Sequence, residues 1–135
     1  MQKIKIGVLR EEKSPPDKRV PLTPLICSEL LKKYSTIEIV VQPSKIRCYT
    51  DEEYTSFGIK LQENLSDCDV LMGVKEVPVD KLIPNKKYFF FSHTIKKQAH
   101  NQKLINALIE KKIQMIDSET LTDKNHNRMI GFGRY

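Results

Sequence analysis

Two rhythms of apolar and polar residues take turns along this chain. Lys3-Ile-Lys-Ile-Gly-Val-Leu9 alternates and then turns wholly apolar, which predicts a strand entering a core. Thr23-Pro24 predicts a helix start, with Thr23 as N-cap and Pro24 at the first helical position. Leu22, Leu25, Ile26, Leu30 and Tyr34 recur at helical spacing and predict its buried face. Glu38 to Val41 reads as a β-branched strand closed by Gln42-Pro43-Ser44. Thr50-Asp-Glu-Glu53 predicts a short helix whose first-turn carboxylates suit the helix dipole, ended by Gly58.

The second half repeats the grammar. Val70 to Val74 predicts a buried strand, and Lys87-Tyr-Phe-Phe-Phe91 another, apolar enough to be covered on both faces. Asp80 to Ile83 predicts a helical turn stopped by Pro84. Gln98 to Lys111 predicts a helix with Leu104, Ile105, Leu108 and Ile109 in one stripe. Lys112 to Ile116 is a further strand, and Arg128 to Gly131 starts a last short one after the turn at 123–127. Strands alternating with helices predict an α/β domain, a mostly parallel sheet with helices on both faces.

Composition narrows the class. The 135 residues are 39% apolar and 30% charged, with five Gly and seven Pro, which fits one globular domain and excludes collagen-like and low-complexity chains. No apolar run approaches the roughly 20 residues that span a bilayer, and Met1 to Arg10 has no signal-peptide core. Cys27, Cys48 and Cys68 form neither a CxxC pair nor a disulfide framework, so a cytoplasmic protein with reduced thiols is expected. The net charge of +6 is unevenly spread: ten Lys or Arg against five acids in 1–50, two against eight in 51–80, and eleven against four in 81–135. The basic residues look scattered over solvated helix faces, as at Lys32-Lys33, Lys96-Lys97 and Lys111-Lys112. That favours solubility and small anionic ligands over nucleic acid.

Candidate chemistry gathers after the strands. Lys18 and Arg19 follow the first, Lys75 and Glu76 follow Val70–Val74, His93 follows Lys87–Phe91, and Asp117 and Glu119 follow Lys112–Ile116. Ligands of an open parallel sheet bind at the carboxyl ends of its strands. The set offers two bases (Lys75, His93), two cations for carboxylates (Arg19, Arg128) and acids to tune them. A single such lysine is most often a solvated surface residue, and a single such histidine a structural donor; their convergence is the signal. His93 and His100 lie seven residues apart without an acidic ligand at helical spacing, so no metal site is expected. His126, in a turn, is expected to be solvated. Gly131-Phe-Gly133 supplies only two glycines, so the expected Rossmann-like fold lacks its own dinucleotide fingerprint.

The ordered phrases carry a resemblance. Ile6-Gly-Val-Leu-Arg10-Glu and Arg19-Val-Pro-Leu-Thr-Pro24 resemble the opening of the alanine dehydrogenase and pyridine nucleotide transhydrogenase N-terminal domain family. Gly73-Val-Lys-Glu-Val-Pro78, Tyr88 to Gln98, Ile116-Asp-Ser-Glu119 and Arg128 to Tyr135 resemble its saccharopine dehydrogenase and lysine-ketoglutarate reductase branch. The resemblance runs nearly end to end. It implies an oxidoreductase of lysine metabolism that interconverts saccharopine with lysine and 2-oxoglutarate, using NAD or NADP. By match to the family motifs, Lys75 and His93 would be the acid–base pair. An apolar wall after Phe91 would disfavour the imidazolium and make His93 the proton acceptor, while Lys75, beside Glu76, would handle the amine proton. Arg19, Lys96, Gln98 and Arg128 would bind substrate, and Glu76 and Glu119 would tune the bases. Residues 1–135 would form the N-terminal substrate (catalytic) domain. A dinucleotide-binding domain that family members carry beyond the equivalent of Tyr135, in cis or in trans, would hold the cofactor. The expected partners are that domain and small amino-acid and 2-oxo-acid substrates, with neither nucleic acid nor membrane. An alanine dehydrogenase-like domain and a stand-alone amino-acid-binding or interaction module remain the alternatives.

Overall fold

The computed structural model describes residues 2–12, 15, 17–91, 102–127 and 129. The expectations placed on His93, Lys96, Gln98 and Arg128, on the side chain of Glu119, and on the last strand at 128–131 lie outside the described residues.

Six strands form one sheet: β1 (Ile4–Val8), β2 (Ile37–Val41), β3 (Lys60–Leu61), β4 (Val70–Lys75), β5 (Lys87–Phe91) and β6 (Gln114–Asp117). Their order is β3-β2-β1-β4-β5-β6, and every pairing is parallel. The chain therefore runs from the centre to one edge, returns to β1, and builds outward on its other side. The two-residue β3 was not expected from the sequence, because so short an edge strand carries no pattern. It is held by the Gln62 N–H donating to the Val41 carbonyl at 2.9 Å.

Side-chain alternation divides the sheet between two cores. Val8, Ile39 and Val41 pack with Cys27 of α1 (Pro24–Lys33) and Tyr54 of α2 (Asp51–Ser56) on one side. Val40, Leu71, Tyr88 and Phe90 pack with Leu104 and Leu108 of α3 (Gln102–Glu110) on the other. Helices thus cover both faces, as expected for parallel strands. Both described helix starts follow their sequence. The Thr23 hydroxyl accepts from the Ile26 N–H at 3.2 Å ahead of Pro24, and Thr50 with Glu53 forms a reciprocal capping box. Gly58, at φ +80°, follows the last turn of α2.

The helix faces correct the sequence reading. In α1 the buried residues are Pro24 and Cys27, while Leu25, Ile26 and Tyr34 are exposed. In α3 Leu104, Ala107 and Leu108 are buried, and Ile109 is 73% exposed. Leu22 and Leu30 at α1, and Leu104 and Leu108 in α3, do pack on the sheet as read; both helices carry more apolar residues than one face can hold, and docking decided which were left outside. Lys111 also departs from the solvated reading: its ammonium donates to the carbonyls of Val79 at 3.0 Å and Leu82 at 3.1 Å. It thereby ties the end of α3 to the 3-10 turn Val79–Lys81.

Candidate active site at the strand reversal

The reversal of strand order beside β1 leaves a crevice outside the carboxyl ends of β1 and β4, where loops diverge and a ligand can enter. A cleft of about 180 Å³ occupies that place. Its walls come from residues 9–12 after β1, Gln42 after β2, and Lys75, Glu76 and Val77 at the end of β4. The strand ends thus deliver both cations and carboxylates into one small volume.

The chemistry at its edge centres on Asp17, which is buried. Its backbone turn is closed by the Arg19 N–H donating to Oδ1 at 2.9 Å, and the Cys48 N–H pins the adjoining Lys18 carbonyl at 2.7 Å. Arg19 donates to both carboxylate oxygens, with Nη2 to Oδ2 at 2.6 Å. Lys75 Nζ lies 3.6 Å from the same Oδ2. Two cations therefore face one buried carboxylate, Arg19 with 43% of its side chain exposed and Lys75 with 35%. The Arg19 guanidinium, helped by Lys75, holds the Asp17 carboxyl down at about 2.

A second carboxylate sits beneath Lys75. Glu11 accepts from the backbone N–H of Val74 at 3.1 Å and of Lys75 at 2.7 Å. Burial raises its pKa, against these two bonds and the nearby Arg19 charge, while Asp17 pushes the same way as burial. Arg10, by contrast, is engaged with its neighbours. It pairs with Glu63 through two nitrogens and with Glu12 at 3.3 Å, and its amide donates to Gln42 at 3.0 Å.

Arg19 and Lys75 are brought together as expected, and Glu76 is half-buried in the cleft wall. Asp117 ends β6, and His126 lies exposed in a turn at φ +65°. Asp17 and Glu11 were not singled out from sequence. Glu11 carried a usable signal, since it follows β1 directly at the end where ligands bind; Asp17 carried none beyond its place two residues before Arg19. Among the described residues no cluster of His, Cys, Asp or Glu could hold a metal ion. No strand there leads through a glycine-rich turn into a helix: the described residues between β1 and α1 include Pro15 and Pro21 and no glycine. The described residues do not fit a dinucleotide pyrophosphate.

An all-parallel sheet that reverses beside its central strand, with lysine, arginine and buried aspartate at the reversal, defines a Rossmann-like α/β domain with a candidate site at its strand ends. Residues 7–135 match the alanine dehydrogenase/PNT N-terminal domain family, and the chain belongs to it. It is 33% identical over 134 residues to alpha-aminoadipic semialdehyde synthase of Arabidopsis thaliana, covering 96% of this chain and 13% of that protein. It is 30% identical over 131 residues to the NAD(+), L-lysine-forming saccharopine dehydrogenase of Emericella nidulans, covering 93% of this chain and 34% of that one. The chain thus spans a small part of the relatives it matches. A solved L-alanine dehydrogenase shares the fold at TM-score 0.74 and 19% identity, over 92% of this chain and 35% of that structure. No described helix is long and apolar enough to cross a membrane.

Proposed function

We propose that this chain is the N-terminal substrate domain of a saccharopine dehydrogenase-like oxidoreductase, interconverting saccharopine with lysine and 2-oxoglutarate. The observation that carries this reading is Lys75 and Arg19 meeting on one oxygen of Asp17 at the strand-reversal cleft. The names of the relatives supply the reaction class. In that reaction a carbon beside a secondary amine gives up hydride, the imine adds water, and the C–N bond breaks. NAD or NADP, held by a dinucleotide-binding domain supplied in cis or in trans, would accept the hydride.

The residues of this chain bind substrate and move protons. Arg19 presents a planar fork of donors that suits a substrate carboxylate, and 43% of its side chain is exposed. A dicarboxylate competes there with Asp17 for the same guanidinium. Lys75 moves the proton on the amine nitrogen, and His93 takes the one released as water adds to the imine. Lys96, Gln98 and Arg128 complete the substrate side, while Glu76 and Glu119 set the charge around the two bases.

Turnover of lysine plus 2-oxoglutarate, compared with pyruvate plus ammonia, tests the substrate in the enzyme that carries this domain. Lys75→Met and His93→Gln are each expected to lower kcat by about 10²-fold or more, the scale of a general acid–base group. His126→Ala is expected to change nothing. Preference for pyruvate and ammonia overturns the substrate, and unchanged turnover in both variants removes the bases.

A further inference from the structure

Lys75 reaches the cleft through an irregularity in its own strand. Along β4 and β5, Val70 pairs with Lys87 and Met72 with Phe89, but Lys75 pairs with Phe91. Gly73 and Val74 together stand opposite Phe90 alone. An extra residue of this kind is a β-bulge, which bends a strand and re-aims the side chain beyond it. On the other flank the ladder to β1 runs from Ile6–Val70 to Val8–Met72. The bulged amides of Val74 and Lys75 are met instead by a side chain, the carboxylate of Glu11.

Gly73 makes room for that side chain. A Cβ at this position would stand 3.2 Å from Glu11 Oε2, inside normal van der Waals distance. The backbone there does not take a positive φ, so the absence of a side chain, rather than a special conformation, is what the site uses. Bulge, glycine and carboxylate form one device.

We propose that Glu11 is a positioning residue for Lys75, its carboxylate clasping the β4 bulge so that the ammonium is delivered to Asp17 and the cleft. The proposal rests on the reading of Lys75 as an acid–base group. Glu11 touches the Lys75 backbone rather than reacting atoms, and acts through Lys75. The burial that raises its pKa supports the geometry, because a charge retained at such a site needs both backbone bonds. The charged groups sharing its surroundings are Asp17 and Arg19 on the loop, Arg10 and Glu12 beside it, and Lys75 and Glu76 at the strand end.

Two measurements test it. In the chain itself, the amide signals of Val74 and Lys75 are followed by NMR against pH, together with the Glu11 carboxyl carbon. Both amides are expected to move with Glu11 as it ionises, above the usual carboxylate range, and to stop doing so in Glu11→Gln. Amides that ignore the Glu11 titration overturn the clasp. In the enzyme that carries this domain, Glu11→Gln is expected to lower kcat roughly tenfold to 10²-fold with KM little changed, the scale of misplacing a reacting group by about 1 Å. Gly73→Ala should lower kcat in the wild type and not in a Glu11→Ala background, since its effect passes through the carboxylate. An equal loss in both backgrounds overturns the proposal. Lys75→Met separates the two readings. If it collapses turnover while both Glu11 variants keep theirs, the positioning role alone fails. If Lys75→Met itself is silent, the acid–base reading fails and takes this one with it.

Discussion

Two arginine–aspartate pairs fix loops of this domain, and they are built in opposite ways. In the first, the cation is buried. Arg47 is 4% exposed; its guanidinium donates to the carbonyls of Tyr49 at 2.9 Å and Gln42 at 2.5 Å, pairs with Asp51, and lies 4.6 Å from the centre of the Tyr54 ring. Tyr54 in turn donates its hydroxyl to the Leu22 carbonyl at 2.7 Å. In the second, the acid is buried and the cations look outward: Asp17 is 6% exposed and Arg19 43%. A cation wrapped in backbone carbonyls holds loops together. Cations arranged around a buried acid keep a face for a ligand while their charge is already balanced. The difference distinguishes the two pairs more clearly than residue type does.

The contrast breaks most visibly at Arg47. Arg47→Met leaves two carbonyls and Asp51 without their donor, and is expected to lower stability by about 3 kcal/mol, the scale of opening a buried ion pair from one side. Urea unfolding measures it, and turnover per folded molecule should stay unchanged. Arg19→Met should do the reverse: a small stability change, and a KM for the dicarboxylate raised about tenfold, the scale of a charge-assisted hydrogen bond. A large stability loss at Arg19 would make the two pairs alike.

The smallest effect sharpens the same comparison through pH. The Asp17 carboxyl, held at about 2, contributes stability that is fully present above its ordinary value of about 3.9 and lost as pH falls through 2. That contribution is at most about 3 kcal/mol, and well below that after solvent screening at half-exposed Arg19. Urea midpoints between pH 6 and pH 2 should therefore fall less steeply in Arg19→Met than in the wild type.

Much of the fold was legible in the residues. Thr23-Pro24, Thr50 with Glu53, and the aromatic run 88–91 each state a local preference that the tertiary structure keeps. The helix phases were legible in part: Leu22, Leu30, Leu104 and Leu108 pack inward as read, whereas Leu25, Ile26 and Ile109 are apolar residues that the sheet leaves outside. At the site, Lys75 and Arg19 could be located by strand-end position. Asp17 and Glu11 were assigned no roles, since both meet Lys75 from some 60 positions away along the chain, and the local Asp17–Arg19 pair points to a site only together with that lysine. Lys111 shows the same limit: only the packing of α3 over the Val79–Lys81 turn distinguishes it from Lys112.

The strand order also governs when the site can exist. Every pairing in the sheet is parallel, so no hairpin can seed it and each ladder closes a long loop. The bonds from Glu11 to the strand carrying Lys75 span 64 residues. A chain that has assembled β1, β2 and β3 has half a sheet and no cleft; the cleft forms when β4 docks on the free side of β1. Such a topology belongs with slow folders, whose rate is set by distant contacts rather than by helix formation. Lys75 can therefore meet Asp17 and Glu11 only once β4 has docked on β1, so its place is fixed by a long-range pairing rather than by local structure.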